Sequence, residues 1–230
     1  MKRIGKKRGK LEQQNAAYLL IAPSYLIYLF FVLIPVIWTI AMSFTDYNLS
    51  KAHFVGISNY IQLTKDPIFI KSVGNTLFYC LLAIVPAMLL GLALAMFLNQ
   101  KLKGKGFLRT LFYLPNIFSM VAVSMAWLYL YDTTSGILNK VLKDLGMQAV
   151  PWISSASMAM ISIAIMSIWS TTGYNMILFL SGLQGIPDYL YEAASIDGAT
   201  AWEKFIHVTI PMLKPTTFFV FVMACINSFQ

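Results

Sequence analysis

The chain has 230 residues, of which 58% are hydrophobic and only 11% charged, and its formal net charge is +8. Soluble domains carry roughly a quarter charged residues. This composition therefore excludes an ordinary water-soluble fold and points to an all-α integral membrane protein built as a helical bundle.

In chain order, MKRIGKKRGK opens the sequence with six Lys and Arg, and residues 1–17 read as a basic N-terminal segment. An apolar run follows immediately, which speaks against a nucleic-acid role for that segment. Residues 16–45, 72–100, 110–131, 145–187 and 215–230 contain no Asp, Glu, Lys, Arg or His. A membrane-spanning helix needs about 20 mostly apolar residues. Four full spans are expected, at about 19–44, 75–98, 111–131 and 156–181, within a transmembrane domain over 18–230. A fifth, at 216–230, has room for only an incomplete crossing, so the sequence is expected to be truncated there. The first apolar run is about twice the length of a signal-peptide core, and it reads as a retained helix. Cys80 and Cys225 both fall inside spans and read as buried small apolar residues.

If the spans alternate, the N-terminal segment, the loop QKLKGKGFLR and the loop at 183–214 share one side. They hold twelve Lys and Arg, against five on the other (Lys51, Lys65, Lys71, Lys140 and Lys143). This asymmetry predicts a cytoplasmic N-terminus and a cytoplasmic 183–214 loop.

The second span repeats small residues at Ala83, Ala87, Gly91 and Ala95, a ridge that lets another helix backbone approach closely. Uncharged polar residues fall inside other spans: Pro115, Asn116 and Ser119 in the third, Ser170 to Asn175 in the fourth, and Asn227, Ser228 and Gln230 in the fifth. Such groups are costly in a membrane without partners. They suit a hydroxyl-rich solute, with inter-helix hydrogen bonding as the plain alternative. Asn116, Thr172, Asn175 and Asn227 are the candidate solute-path residues. No acidic residue or His lies within a full span, so the parts of a proton relay are missing. The sequence also lacks a GxxxxGK[ST] loop, an HExxH pattern and a nucleophile with a base, so neither ATP binding of that kind nor catalysis is expected of this chain.

Between the last two spans lies EAASIDGATAWEKF, from Glu192 to Phe205. Pro187 and Asp188 suit a helix start, and Gly198 suits a helix end. Thr200-Ala201-Trp202-Glu203 has capping-box spacing and opens a second short helix, which Pro211 and Pro215 are expected to break before the fifth span. The loop thus reads as helix–turn–helix, either a surface pair at the membrane interface or a docking element for a cytoplasmic partner.

Glu192-Ala193-Ala194, Gly198 four residues on, and Val208-Thr209-Ile210-Pro211 after nine more resemble the EAA loop of permease subunits of bacterial ABC importers, pattern EAA-x3-G-x9-I-x-L-P. Val208 and Ile210 are mild departures. The flanking SGLQGIPDYLYEAASIDGATAWEKF resembles the carbohydrate-uptake branch, as do Phe54-Val55-Gly56, Asn59-Tyr60, Asn75-Thr76, Leu114-Pro115 and Gly136-Ile137-Leu138-Asn139. The resemblance implies a type I permease fold with six core spans, the sixth missing here, and a place in the bacterial cytoplasmic membrane. It implies that the loop couples to ATP-hydrolysing subunits through Glu192, Ala193, Ala194, Asp197, Gly198 and Pro211. Those partners would bind the ATP, leaving no cofactor in this chain. It further implies a second homologous permease, an extracytoplasmic sugar-binding protein and surrounding lipid. A permease for another polar solute, such as a polyol or a glycerol phosphoester, and a membrane scaffold or receptor are the alternatives.

Overall fold

The computed structural model describes residues 16–48 and 51–229. The basic stretch 1–15, which carries much of the expected charge asymmetry, lies outside the described residues, as does Gln230. Two compact units are present, one up to Ser72 and one from Val73 onward.

The first unit begins with helix α1, Ala16–Met42, long and apolar enough to span a membrane. A π-helical turn at Leu29–Leu33 directly precedes Ile34 and Pro35, and the Ile34 N–H bonds the Leu29 carbonyl five residues back. Proline has no N–H and its ring crowds the carbonyl four residues earlier. The wider turn gives that ring space without ending the helix. Strands β1 (Thr45–Tyr47) and β2 (Ala52–Phe54) then pair antiparallel, with Asp46 opposite His53. Gly56 takes a left-handed φ of 59°, and helix α2 (Ser58–Lys65) follows. Asn59 Nδ2 donates to the carbonyls of Ser43 (2.8 Å) and Thr45 (3.0 Å), tying α2 to the hairpin.

Helix α3, Pro67–Asn99, runs from the end of the first unit through the second. The second unit continues with α4 (Lys105–Ile117), α5 (Met120–Leu130), α6 (Ile137–Asp144), α7 (Ala156–Gln184), α8 (Asp188–Ile196) and α9 (Ala201–Ser228). Helix α7 is its centre. The ridge expected on α3 is buried, with Ala87 and Ala95 at most 2% exposed. A Cβ on Gly91 would stand 2.7 Å from Asn175 Cβ of α7. A Cβ on Gly173 would press into the backbone of Phe112 and Tyr113 of α4, and one on Gly182 would meet Thr216 Oγ1 of α9 at 2.7 Å. Close helix approach over small residues thus sets three contacts of one helix. Met176, Phe179, Leu180 and Leu183 of α7 form a core with Leu98, Leu213 and Val220.

Two sequence expectations change. The continuous third span over 111–131 is a pair, α4 and α5, bent by 92°. Phe118 and Ser119 are extended there, and Ser119 opens α5 by accepting the Val123 N–H. The residues on both sides are apolar, so the break leaves no mark in hydropathy. Pro211 and Pro215 do not separate the short helix opened by Thr200 from the fifth span: α9 runs unbroken from Ala201 to Ser228 with both prolines inside it. The reason repeats that of α1. A π turn at Phe205–Thr209, in which the Ile210 N–H reaches Phe205, stands directly before Ile210 and Pro211.

The segment after α5 is braced by a fully buried Asn139. Its Oδ1 accepts from the Val150 N–H (2.9 Å) and Trp152 Nε1 (3.1 Å), and its Nδ2 donates to the Val150 carbonyl (2.9 Å). Asp132 Oδ1 accepts from the Ser135 N–H and hydroxyl and the Thr134 hydroxyl and N–H, at 2.7 to 3.0 Å. These bonds, those from Ser135 foremost, hold its carboxyl well below the usual carboxylate range. Gly136 is required because a Cβ there would press on the Asp132 and Leu130 carbonyls.

Candidate functional site

A chamber of about 370 Å³ lies within the second unit, walled by α3, the α4–α5 bend, α7 and α9. Three of the four residues expected on a solute path line it: Asn116 of α4, Asn175 of α7 and Asn227 of α9. They are far apart in sequence and meet because α7 is held against each neighbouring helix. Among the described residues, no side-chain hydrogen bond engages these three amides. Ser167, Ser170, Thr171 and Tyr174 of α7 share the wall. Their spacing of three and four puts them on one helical face. Among the described residues, the lining carries no charged side chain.

Thr172 is not with them. It faces a separate apolar groove of about 740 Å³ beside Leu90, Phe112 and Trp169. Its hydroxyl donates to the Ile168 carbonyl of its own helix at 2.6 Å. One residue on a helix is a turn of 100°, so Thr171 and Thr172 can look alike in sequence and face different surroundings. Tyr79 and Ser167 also line the chamber and were not singled out from sequence. The signals were present: Tyr79 stands four residues before Ala83 on the buried ridge, and Ser167 stands four before Thr171.

The second candidate element is the hook, α8 with the start of α9. Its local structure follows the sequence closely. Helix α8 ends in a paired turn in which the Ala199 N–H bonds the Ala194 carbonyl (2.9 Å) and the Gly198 N–H bonds the Ser195 carbonyl (3.1 Å). Gly198 has φ +80°, which explains the glycine, and a Cβ there would meet nothing within 4 Å. The capping box is complete: the Glu203 N–H donates to Thr200 Oγ1 (3.3 Å) and the Thr200 N–H to Glu203 Oε2 (2.7 Å). Pro187 sits at the cap just before α8 rather than within its first turn.

The hook has two faces. Leu190, Tyr191 and Val208 pack on the core cluster of Leu183, Ile186 and Leu213. Glu192, Ala193 and Asp197 are exposed on the outside, together with Ile196 (87% exposed) and Trp202 (67%). Ala194, Asp197 and Gly198 also line a groove of about 430 Å³ between the two arms. Pro211 lies beyond them, past the π turn in α9. The structure thus brings Glu192, Ala193, Ala194, Asp197 and Gly198 together, with Pro211 on the stem that joins them to the span.

An uncharged polar chamber inside a bundle of apolar helices, with an exposed hook fixed to the same core, is the layout of a membrane transport component. The chain belongs to the family described as the binding-protein-dependent transport system inner membrane component, whose model matches residues 87–230. It is 38% identical over 216 residues to a probable ABC transporter permease protein of Pyrococcus horikoshii, covering 92% of this chain and 74% of that one. It is 35% identical to the arabinooligosaccharides transport system permease protein AraP of Bacillus subtilis, covering 95% and 70%. In fold it is similar to a chain of a bacterial alginate ABC transporter solved in complex with an alginate pentasaccharide-bound periplasmic protein. That match has a TM-score of 0.79 and 25% identity, and covers 94% of this chain and 73% of that one. The chain is a multi-pass ABC permease subunit with the type I importer fold, and it works in a system that depends on a binding protein.

Proposed function

We propose that this permease imports a neutral carbohydrate, and that the chamber is the part of the path where the sugar is held. The observation that carries this reading is the set of three amides, Asn116, Asn175 and Asn227, that bond no side chain among the described residues and line one chamber. Amides both donate and accept, so they complement hydroxyl groups, and the tyrosine rings of Tyr79 and Tyr174 add flat apolar surface for a sugar face. The arabinooligosaccharide transport permease among its relatives supports the substrate class. A phosphoester would call for a cation, and the chamber lining supplies none among the described residues.

In this reading the hook lies in the cytoplasm with the N-terminus. Glu192, Ala193, Ala194, Asp197 and Gly198 dock into an ATP-hydrolysing subunit, and Pro211 shapes the stem. Two such subunits bind the ATP, a second homologous permease completes the path, and an extracytoplasmic binding protein delivers the sugar. The chain itself is a transport subunit and not an enzyme. Closure of the ATP-hydrolysing pair pulls on the hooks, and alternating access moves the sugar through the chamber.

The test is the full complex in vesicles, carrying Ala194→Cys. ATP-driven uptake of neutral oligosaccharides, with a cross-link from position 194 to an ATP-hydrolysing subunit, is the expected result. Uptake of a glycerol phosphoester in preference to every neutral sugar would overturn the substrate class. Correct insertion with no such cross-link would overturn the docking role.

A further inference from the structure

The hook meets the membrane helices at a place where the helical backbone is irregular. Between Lys204 and Ile210 the hydrogen bonds of α9 run five residues back instead of four. Such a turn is a rare and deformable joint within a helix. A force applied to α8 would be absorbed there unless something fixed α8 to the joint.

A closed circuit of side-chain bonds does this. Tyr191 OH of α8 lies 3.0 Å from Thr209 Oγ1, the last residue of the π turn. Thr209 Oγ1 in turn donates at 3.4 Å to the carbonyl of Lys204, the residue just before the π turn. Lys204 Nζ returns to α8 by donating to Ser195 Oγ (2.7 Å), which donates to the Tyr191 carbonyl (2.7 Å). The two halves differ in exposure. The Lys204–Ser195 bond is open to water, where such contacts contribute little. The Tyr191–Thr209 bond is shielded: Thr209 is only 6% exposed, and Tyr191 packs on the core cluster.

We propose that Tyr191 and Thr209 are positioning residues for coupling, forming a strap that makes α8, the π turn and the stem of α9 move as one body. Neither residue needs to touch the ATP-hydrolysing subunit or the sugar. Their role is to keep the π turn from yielding, so that displacement of the hook reaches the chamber wall at Asn227. This rests on the coupling role of the hook given above.

The experiment uses the full-length permease in its complete complex, reconstituted in vesicles. It reads sugar transported per ATP hydrolysed, the yield of assembled complex, and the cross-link from Ala194→Cys. Tyr191→Phe and Thr209→Val each remove one hydroxyl with little change of volume. Each is expected to lower transport per ATP about two- to tenfold, the range of one shielded hydrogen bond, with complex yield and cross-link retained. The double variant is expected to be no worse than either single one, and Thr209→Ser to restore the ratio. An unchanged ratio in both single variants overturns the proposal. So does loss of assembled complex in both, or failure of Thr209→Ser to rescue. Glu192→Lys and Gly198→Trp separate the two ideas. If they uncouple transport while the strap variants do not, the strap alone is wrong. If they too leave the ratio normal and the cross-link is absent, the coupling role of the hook has failed and the strap falls with it.

Discussion

The hook and the chamber use polar side chains in opposite ways. In the hook, Tyr191, Ser195, Thr200, Glu203, Lys204, His207 and Thr209 each bond another residue of the hook. In the chamber, Asn116, Asn175 and Asn227 bond no other side chain among the described residues, although polar groups are costly inside a membrane. Polar groups in the first region maintain its shape. In the second, Thr171 bonds the Ser167 carbonyl, and the three amides are the groups proposed to meet the solute. The same contrast separates the two π turns. Both precede a proline by one residue, but beside Leu29–Leu33 the side-chain bond is local, Thr39 to the Pro35 carbonyl (2.8 Å), whereas Phe205–Thr209 is fastened to a second helix.

The largest expected effect breaks the frame that creates both regions. Gly173→Leu places a side chain against the backbone of Phe112 and Tyr113, with a Cβ only 2.8 Å from the Phe112 carbonyl carbon. Backbone cannot swing aside as a side-chain tip can. The expected cost is about 3 kcal/mol or more, read as a loss of folded protein in a thermal melt of the detergent-solubilised complex. Gly173→Leu with an unchanged melting temperature would mean that α4 and α7 do not approach as described.

Next comes the hook. Gly198→Trp meets no neighbouring atom within the chain, so it tests conformation and docking rather than packing. Its φ of +80° costs a non-glycine residue about 1–2 kcal/mol, confined to the end of α8. Insertion and the melting temperature are expected to change little while transport per ATP falls at least tenfold. Normal uptake would remove the hook from coupling and leave its internal bonding as mere architecture.

The hook was legible in the sequence, and the chamber only in part, for a physical reason. Thr200 and Glu203 are three residues apart, and Gly198 ends the helix that Asp188 begins, so the cap and the turn that shape the hook are local. The chamber depends on which faces of α3, α4, α7 and α9 turn inward, and packing decides this. The α4–α5 bend at Phe118 and Ser119 also escaped notice, because turning an apolar helix through 92° changes no residue's hydropathy. The π turn was hidden likewise: Pro211 signals a break, and nothing local signals that a wider turn will absorb it.

The smallest and most discriminating prediction compares Asn175 with Thr172, three positions apart on α7 and both at most 9% exposed. Asn175→Leu keeps the volume at the chamber wall and removes the amide. Because that amide makes no side-chain bond, stability is expected to stay within about 1 kcal/mol of the parent, while sugar uptake falls several-fold and its substrate preference shifts. Thr172→Val also removes a polar group, but one bonded to the Ile168 carbonyl and facing the apolar groove. Uptake is expected to match the parent within about twofold, since a helix carbonyl already bonded along its backbone loses little with one side-chain donor. Measured side by side, initial uptake rates and melting temperatures separate the two roles. If both substitutions lower uptake equally, facing the chamber is not what matters. If Asn175→Leu lowers only the melting temperature, its amide is a packing group, and the amides of the chamber no longer distinguish it from the hook.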